Sequence, residues 1–365
     1  MLTRQDIVDL LTTTPFEDVL RESDRTRKGC CGDEVHLRGI VEFSNVCVRT
    51  CSYCGLRGPN RRLQRYRMSP DETVDAAKAV RAKGLRTIVL QSGEDPRTEL
   101  TELCDVIRRI KAETDLAITL SIGLRTPEEY RCLREAGADR YLIKEETFDG
   151  SLYARLHAGL PLVPRVIALS NLKRIGYETG GGIIVGLPGQ TAESVADSLI
   201  HARDLALDMY AIGPFVPHPD TPLADHPTAS IEQTLRTIAV ARIILGDVHI
   251  PATTALQAIH PRGWELGLLA GANVIMSLET PAIYREDYSI YPNPGRADAD
   301  DRRAEKIFDA IRRAGRRVGV GPGSSMKLDH EIVADGGEYI EDDTAYHRIE
   351  ELLNGTPNGV YRVSA

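Results

Sequence analysis

From Val35 onward the chain repeats one pattern: a short β-branched run, a loop, then a stretch with apolar positions three and four apart that stops near a glycine. The runs predict eight strands, at 35–41, 87–90, 117–120, 140–143, 183–185, 209–212, about 249–252 and 272–276. Helical stretches follow them. Ser69-Pro-Asp-Glu72 and Thr126-Pro-Glu-Glu129 each open a helix as a capping box with proline in the first turn, and Gly84 and Gly137 stop those helices. Further helices are predicted at 98–114, 165–175, 192–205, 231–245 and 261–269. Parallel strands need crossovers, and right-handed crossovers wind a sheet shut, so the pattern specifies an α/β fold, a complete (β/α)8 TIM-type barrel. An open doubly wound sheet is the competing architecture.

Before the barrel, residues 3–27 read as one or two amphipathic helices with Ile7, Leu10, Leu11, Phe16, Val19 and Leu20 on the apolar side, expected to lie across a barrel end. After it, 300–314 forms one more charged amphipathic helix. From Val318 the chain is Gly-rich and then acidic, which predicts an extension packed on the barrel with a loose end. The expected division is an N-terminal helical extension at 1–34, the barrel at 35–315 and a C-terminal extension at 316–365.

A chain of 365 residues suits one barrel with extensions, and 42% apolar with 27% charged residues supplies a large core. The formal charge of −8, with no basic tract read in the sequence, points to a small-molecule substrate and away from nucleic acid or an anionic membrane. No run has the ~20 apolar residues of a membrane span, and the start carries acids where a signal peptide is apolar, so a cytoplasmic location is expected.

Seven cysteines, three of them on one loop, fit a reducing compartment and a metal centre better than disulfides. Cys47, Cys51 and Cys54 stand at C-x3-C-x2-C spacing. A structural zinc site would want a fourth ligand from a second short pair, and none follows. A [4Fe-4S] cubane held by three thiolates suits the spacing, because it leaves one iron open to an exogenous ligand. Cys30-Cys31 read as two free thiols, and Cys104 and Cys132, inside helices, as small buried hydrophobes.

Nearly every other unusual peptide follows a predicted strand, which in this fold is where active sites are built. Strand two ends in Gln91-Ser-Gly-Glu-Asp95, strand three in Ser121-Ile-Gly123 and strand four in Lys144-Glu-Glu-Thr147, with Glu146 expected to point into the mouth. Arg165, at the start of a helix, is a guanidinium suited to a carboxylate. Strand five runs into Gly186-Leu-Pro-Gly-Gln-Thr191 and strand six into a proline-rich rigid loop, 213–222. Thr253-Thr254 and Met276 follow strands seven and eight, and Tyr284, Tyr288 and Tyr291 come next.

Together these peptides resemble the radical S-adenosylmethionine (SAM) enzymes, in the branch of the HydE-type [FeFe]-hydrogenase maturases, near biotin synthase and methylornithine synthase. The cysteine loop matches down to Tyr53. Ser92-Gly93-Glu94 resembles the Gly-Gly-Glu motif that holds the methionine amino group, and Val185-Gly-Leu-Pro-Gly-Gln-Thr191, Ile212 to Ala224, Ile250 to Ala255 and Gly271 to Met276 extend the likeness over most of the chain. The resemblance implies one [4Fe-4S] cluster on Cys47, Cys51 and Cys54, and reductive cleavage of SAM to methionine and a 5'-deoxyadenosyl radical. It implies SAM contacts at Tyr53, Ser92, Gly93, Glu94, Ser121, Glu146 and Arg165, and a substrate cavity lined by Lys144, Thr253, Thr254, Met276, Tyr288 and Tyr291. It also implies a reduced flavodoxin or ferredoxin-type electron donor and other hydrogenase maturation proteins as partners. A second small amino-acid-like substrate, as in methylornithine synthase, is the alternative, and a non-catalytic iron-sulfur scaffold a more distant one.

The chain departs from that branch at identifiable places. Nothing from Pro292 to Ala365 is a cysteine, so the second cluster of some HydE proteins is not expected. Lys144-Glu145 stands where the family has Arg-His, and Leu124 where it tends to have glutamate after Ser-x-Gly. These exchanges are expected to change recognition of a carboxylate-bearing substrate.

Overall fold

The computed structural model describes residues 2–327. Helices α1 (Arg4–Thr12) and α2 (Phe16–Cys31) precede β1 (Glu34–Ser44), α3 (Pro70–Ala82), β2 (Thr87–Ser92), α4 (Leu100–Thr114), β3 (Ala117–Ser121), α5 (Pro127–Glu135) and β4 (Arg140–Leu142). Then come α6 (Gly150–Leu156), α7 (Val163–Ile175), β5 (Glu178–Val185), α8 (Ala192–Asp204), β6 (Met209–Pro214), α9 (Ile231–Leu245) and β7 (Pro251–Ala252). The chain continues through α10 (Thr254–Ile259), α11 (Gly263–Leu269), β8 (Val274–Leu278), α12 (Ala282–Arg285), a 3-10 turn (Pro294–Ala297), α13 (Asp300–Arg313) and β9 (Arg317–Val318).

The strands run β6-β5-β4-β3-β2-β1-β8-β7, every pair parallel, and a bridge between Met209 and His249 closes the ring between β6 and β7. At that seam Tyr210 N donates to His249 O at 2.9 Å. The fold is therefore an α/β barrel of eight parallel strands with an outer ring of helices.

Local chemistry sets the helices where the sequence puts them. Ser69 accepts from Glu72 N while Glu72 reaches back to Ser69 N, and Thr126 with Glu129 does the same, so each helix starts with its orphan donors satisfied. The inward stripe of α3, Val74, Ala77 and Val80, is fully buried. Each such valine contributes about 1.5–3 kcal/mol. Val80 packs directly on Gly39 of β1, where an added Cβ would stand 2.8 Å from a valine methyl, so any side chain at position 39 would push α3 off the sheet.

Three expectations need correction. The N-terminal helices do not lie across a barrel end; α1 packs on α8 and α9 and α2 on α9, along the outside. Strand β5 starts at Glu178, ahead of position 183, because Gly180 to Gly182 belong to the strand. Those glycines admit the side chains of β4's exit: a Cβ at Gly181 would stand 2.8 Å from Glu145 Oε2, and one at Gly182 2.9 Å from Lys144 Cε. Cys104 is buried as expected, but Cys132 is exposed on α5.

The C-terminal extension begins packed on the barrel, as expected, and the loose end expected of it falls in residues 328–365, outside the described residues. Its beginning is an integral part of the barrel: β9 pairs with Glu34 and Val35 at the start of β1, and the chain then crosses the base. There Thr87 Oγ1 donates to Pro322 O at 2.7 Å, Arg38 Nη2 to Gly323 O at 3.0 Å, and Ser325 Oγ to Asp208 Oδ1 at 2.6 Å. His249 Nε2 lies 2.8 Å from Ser324 O.

Candidate active site

The cysteine loop lies at the opposite end, across the exits of β1 and β2. Gly93 N donates to Ser44 O at 3.1 Å and Val48 N to Glu94 O at 2.9 Å, which tie the loop to both strand ends. A Cβ at Gly93 would stand 2.7 Å from Cys47 Cβ, so only glycine lets β2 come this close. Arg65 then clamps the loop from below by donating to the carbonyls of Asn45, Leu56, Arg57 and Asn60. The sequence reading did not single out this arginine.

Cys47, Cys51 and Cys54 are all free thiols. Burial pushes Cys51 up to about 11 and raises Cys54 as well, so a metal that takes these thiolates must displace their protons. Among the described residues no three His, Cys, Asp or Glu side chains gather round one metal-ion position. Three thiolates on one loop fit a cubane, in which each takes a different iron and the fourth iron stays open.

Beside the loop, Glu94 pairs with Arg49, whose Nε donates to Glu94 Oε1 at 2.7 Å. Gly123, in the left-handed region at φ +79°, makes room for Glu94, since a Cβ there would stand 2.8 Å from Glu94 Cβ. Ser92 turns its hydroxyl onto Gly93 O at 2.7 Å, and Ser121 ends β3 half-buried, its backbone opposite Gln91. Arg165 is held by Tyr153 OH at 2.7 Å and Lys144 O at 2.9 Å.

Tyr153 sits on α6, a short helix between β4 and α7 that is not among the helices predicted from the pattern. It stacks on His157 with centroids 3.8 Å apart, and His157 Nε2 is 3.0 Å from Tyr53 OH. Burial lowers His157 to about 4, so its ring is neutral and Tyr53 can donate to it. Ser52 N also donates to Leu156 O at 2.8 Å, which docks α6 on the cysteine loop. Tyr53, Arg165 and the loop thus belong to one hydrogen-bonded array.

Below the loop the barrel holds a cavity of about 610 Å³, in the range of small-molecule sites. Tyr53, Lys144, Glu146, Thr253, Thr254, Met276 and Tyr291 line it, as do Gln91 and the Phe215 end of the proline-rich loop. Glu146 sits at φ +64°, a strained conformation for a carboxylate residue, with Oε2 2.8 Å from Lys144 Nζ. Thr254 Oγ1 and Tyr291 OH are 2.7 Å apart. A buried ion pair absent from the sequence reading also lines the wall: Arg296 binds Glu42 through both nitrogens of its fork, and Thr280 Oγ1 donates to Glu42 Oε2 at 3.1 Å.

Two residues, Tyr288 and Glu145, fall elsewhere than expected, and Tyr284 packs outside the site. Tyr288 does not line the cavity; it is buried in the wall, and its hydroxyl accepts from Gln91 Nε2 at 3.0 Å. Tyr284 stacks on Tyr66 and donates to Glu72, a packing role at the start of α3. Glu145 faces away from the cavity, because alternate residues on a strand exit point to opposite sides and Lys144 and Glu146 take the inner one. Its Oε2 accepts from Gly182 N at 3.1 Å behind the sheet. Of the Lys144-Glu145 departure, only Lys144 touches the space a substrate would fill.

A cysteine loop over a cavity at the C-terminal end of a parallel barrel defines a class of cluster-dependent enzyme, and the comparisons agree: residues 41–202 match the Radical SAM superfamily, and residues 212–317 the Biotin and Thiamin Synthesis associated domain. The chain belongs to the radical SAM superfamily, which implies a [4Fe-4S] cluster and SAM. Within it the chain is 47% identical over 276 residues to the [FeFe] hydrogenase maturase subunit HydE of Thermotoga maritima, covering 76% of this chain and 79% of that one. It is 30% identical over 295 residues to 3-methylornithine synthase of Methanosarcina barkeri, covering 80% and 83%. The crystal structure of methylornithine synthase (PylB) superposes with a TM-score of 0.77 at 27% identity, covering 87% of this chain and 94% of that one. No helix among the described residues is long and apolar enough to cross a membrane.

Proposed function

We propose that the chain is a HydE-like radical SAM enzyme acting in assembly of the [FeFe]-hydrogenase di-iron cofactor. The observation that carries the reading is that the 47% likeness to a HydE extends over a chain whose cysteine loop and cavity share one barrel end. Cys47, Cys51 and Cys54 would hold the cluster and leave one iron for SAM. When bound, cluster and SAM supply reductive cleavage of the sulfonium to methionine and a 5'-deoxyadenosyl radical.

The chain's own residues supply position and exclusion. Glu94 offers a carboxylate to the methionine amino group, and Arg165 a guanidinium to its carboxylate, at opposite sides of the loop. Ser92, Gly93 and Ser121 shape the strand exits between them. Tyr53, held by His157, walls the cavity on the cluster side, and Glu146 stands at the boundary between SAM and substrate. Lys144, Thr253, Thr254, Met276 and Tyr291 would face the substrate, with Tyr288 acting behind Gln91. A closed barrel keeps water from a reactive carbon radical. A methylornithine-synthase-like role on another amino-acid-like molecule is the second reading, favoured by Lys144, a point charge where the HydE branch has a planar fork.

The test is anaerobic reconstitution followed by two assays. Iron and sulfide analysis should give one cluster, and reductant should release 5'-deoxyadenosine. The protein should then replace authentic HydE in a complete hydrogenase maturation mixture. SAM cleavage without active hydrogenase would reject the maturase reading in favour of the second; a full cluster in Cys47→Ala, Cys51→Ala or Cys54→Ala would reject the cysteine assignment.

A further inference from the structure

The sequence reading saw no basic tract, yet the 28 residues from Phe43 to Pro70 carry six arginines and no acid in a chain of net charge −8. The fold lays this stretch around the cysteine loop. Arg49 pairs with Glu94, Arg62 with Asp220 and Arg67 with Asp95, whereas Arg57, Arg61 and Arg65 pair with no carboxylate among the described residues. Arg61 and Arg62 are exposed, the Arg62 side chain at 82%, together with Gly58 and Pro59. Val48, between two of the cysteines, is 54% exposed. An exposed valine and three exposed arginines, Arg61, Arg62 and Arg67, thus face solvent on the stretch that carries the cysteines.

The covalent and hydrogen-bonded route inward is short. Arg57 N donates to Cys54 O at 3.1 Å, Gly58 N to Arg49 O at 2.7 Å, and Asn60 Nδ2 to Gly55 O at 2.8 Å. None of Val48, Arg57, Arg61, Arg62 and Arg67 lines the cavity, so a protein seated on them would not occupy the substrate's space.

We propose that this face, Val48 with Arg57, Arg61, Arg62 and Arg67, is the docking surface for an acidic one-electron carrier protein that reduces the cluster. The proposal rests on the radical SAM reading, which requires an external electron. Positive charge on an otherwise acidic protein steers an anionic partner to one spot, and electron transfer falls steeply with distance, so the spot must lie over the cluster loop. A small, salt-sensitive contact suits a partner that must leave after each electron.

The experiment uses the reconstituted holoenzyme and reduced flavodoxin, with photoreduced 5-deazariboflavin as an uncharged small reductant. Cluster reduction is followed optically in wild type, Arg61→Glu and Arg61→Glu/Arg62→Glu. At low ionic strength the flavodoxin rate constant should fall about tenfold or more in the double variant, and its salt dependence should flatten. The deazaflavin rate should not change. An unchanged flavodoxin rate overturns the proposal. Equal loss with both reductants would mean that the loop itself is damaged, and Arg61→Gln then decides: a normal flavodoxin rate there also overturns it. If the variants instead lose affinity for an RNA oligonucleotide or phosphatidylserine vesicles while flavodoxin reacts normally, the patch belongs to a polyanion and the proposal fails. A holoenzyme reduced by flavodoxin that cleaves no SAM would leave docking intact and reject the catalytic reading.

Discussion

At the base of the barrel Arg38 and Arg140 point inward and are covered by the chain itself, whereas at the mouth Arg49 and Arg165 are tied to groups beside the cysteine loop and Arg296 lines the cavity. The base arginines are spent on backbone: Arg140 binds Glu178 and donates to Thr87 Oγ1 and Pro322 O, and Arg38 reaches Gly323 O. Burial, with Arg140 beside it, pushes Arg38 down to about 9, the mark of a cation held in a dry place. The mouth arginines instead hold carboxylates and loops that a ligand can reach. One residue type therefore closes one end and equips the other, and the difference lies in whether segment 317–327 covers it. It follows that the two ends should answer to different measurements: the base to stability, the mouth to binding.

The largest expected effect lies at the base. Arg140→Ala would leave Glu178 without its partner and cut the ties to the covering segment. Breaking such a pair costs about 3–5 kcal/mol. The denaturant midpoint should drop accordingly while SAM cleavage per folded, cluster-loaded molecule stays at the wild-type level. Lost SAM cleavage at unchanged stability would erase the distinction between the ends.

Midway along the wall, Glu145 tests the boundary. Burial pushes its carboxyl up to about 7 from 4.5, against the opposing hydrogen bond from Gly182 N. Because the folded state then binds the proton more tightly than the unfolded one, this stabilisation is complete below about pH 4.5 and is lost as pH rises through 7. The loss is on the order of 3 kcal/mol. Thermal unfolding of wild type and Glu145→Gln across about pH 5 to 8 should show the wild type falling relative to the variant. Parallel curves would mean that Glu145 is not protonated in the fold.

The elements that were legible in the sequence are those fixed by short-range chemistry. Capping boxes at Ser69 and Thr126, the cysteine spacing and the β-branched runs each decide a local structure over a few residues. What was missed depends on distant partners. Gly180 to Gly182 carry no β-branched side chain, so the strand pattern starts at Ile183, and their place in β5 shows only once Lys144 and Glu145 need the space. Helix α6 is short and begins at glycine, so its pattern is weak, and its value lies in Tyr153 and His157 meeting a loop far away in sequence. Glu42 and Arg296 are 254 positions apart, and nothing local marks either. The orientation of Glu145, by contrast, was available: strand alternation already says that of Lys144, Glu145 and Glu146 the middle one faces away. The arginine stretch was equally plain, but the net charge of the whole chain concealed it.

The smallest and sharpest effect is at the mouth. Glu94 contacts Arg49 within the cysteine loop, and by its position also awaits the methionine amino group of SAM, so its charge has two claimants. Glu94→Gln keeps the shape against Gly123 and removes the charge. If the carboxylate serves SAM, the variant should retain its cluster and its denaturant midpoint but bind SAM about 1.5–3 kcal/mol more weakly, roughly ten- to hundredfold. Arg49→Ala separates the two roles, because it deletes the internal partner while leaving the carboxylate for the ligand. If Glu94 serves mainly to hold Arg49 and thereby the loop, both variants should lose iron together. If it serves SAM, only Glu94→Gln should lose affinity, as measured by equilibrium binding to the oxidised cluster-loaded protein.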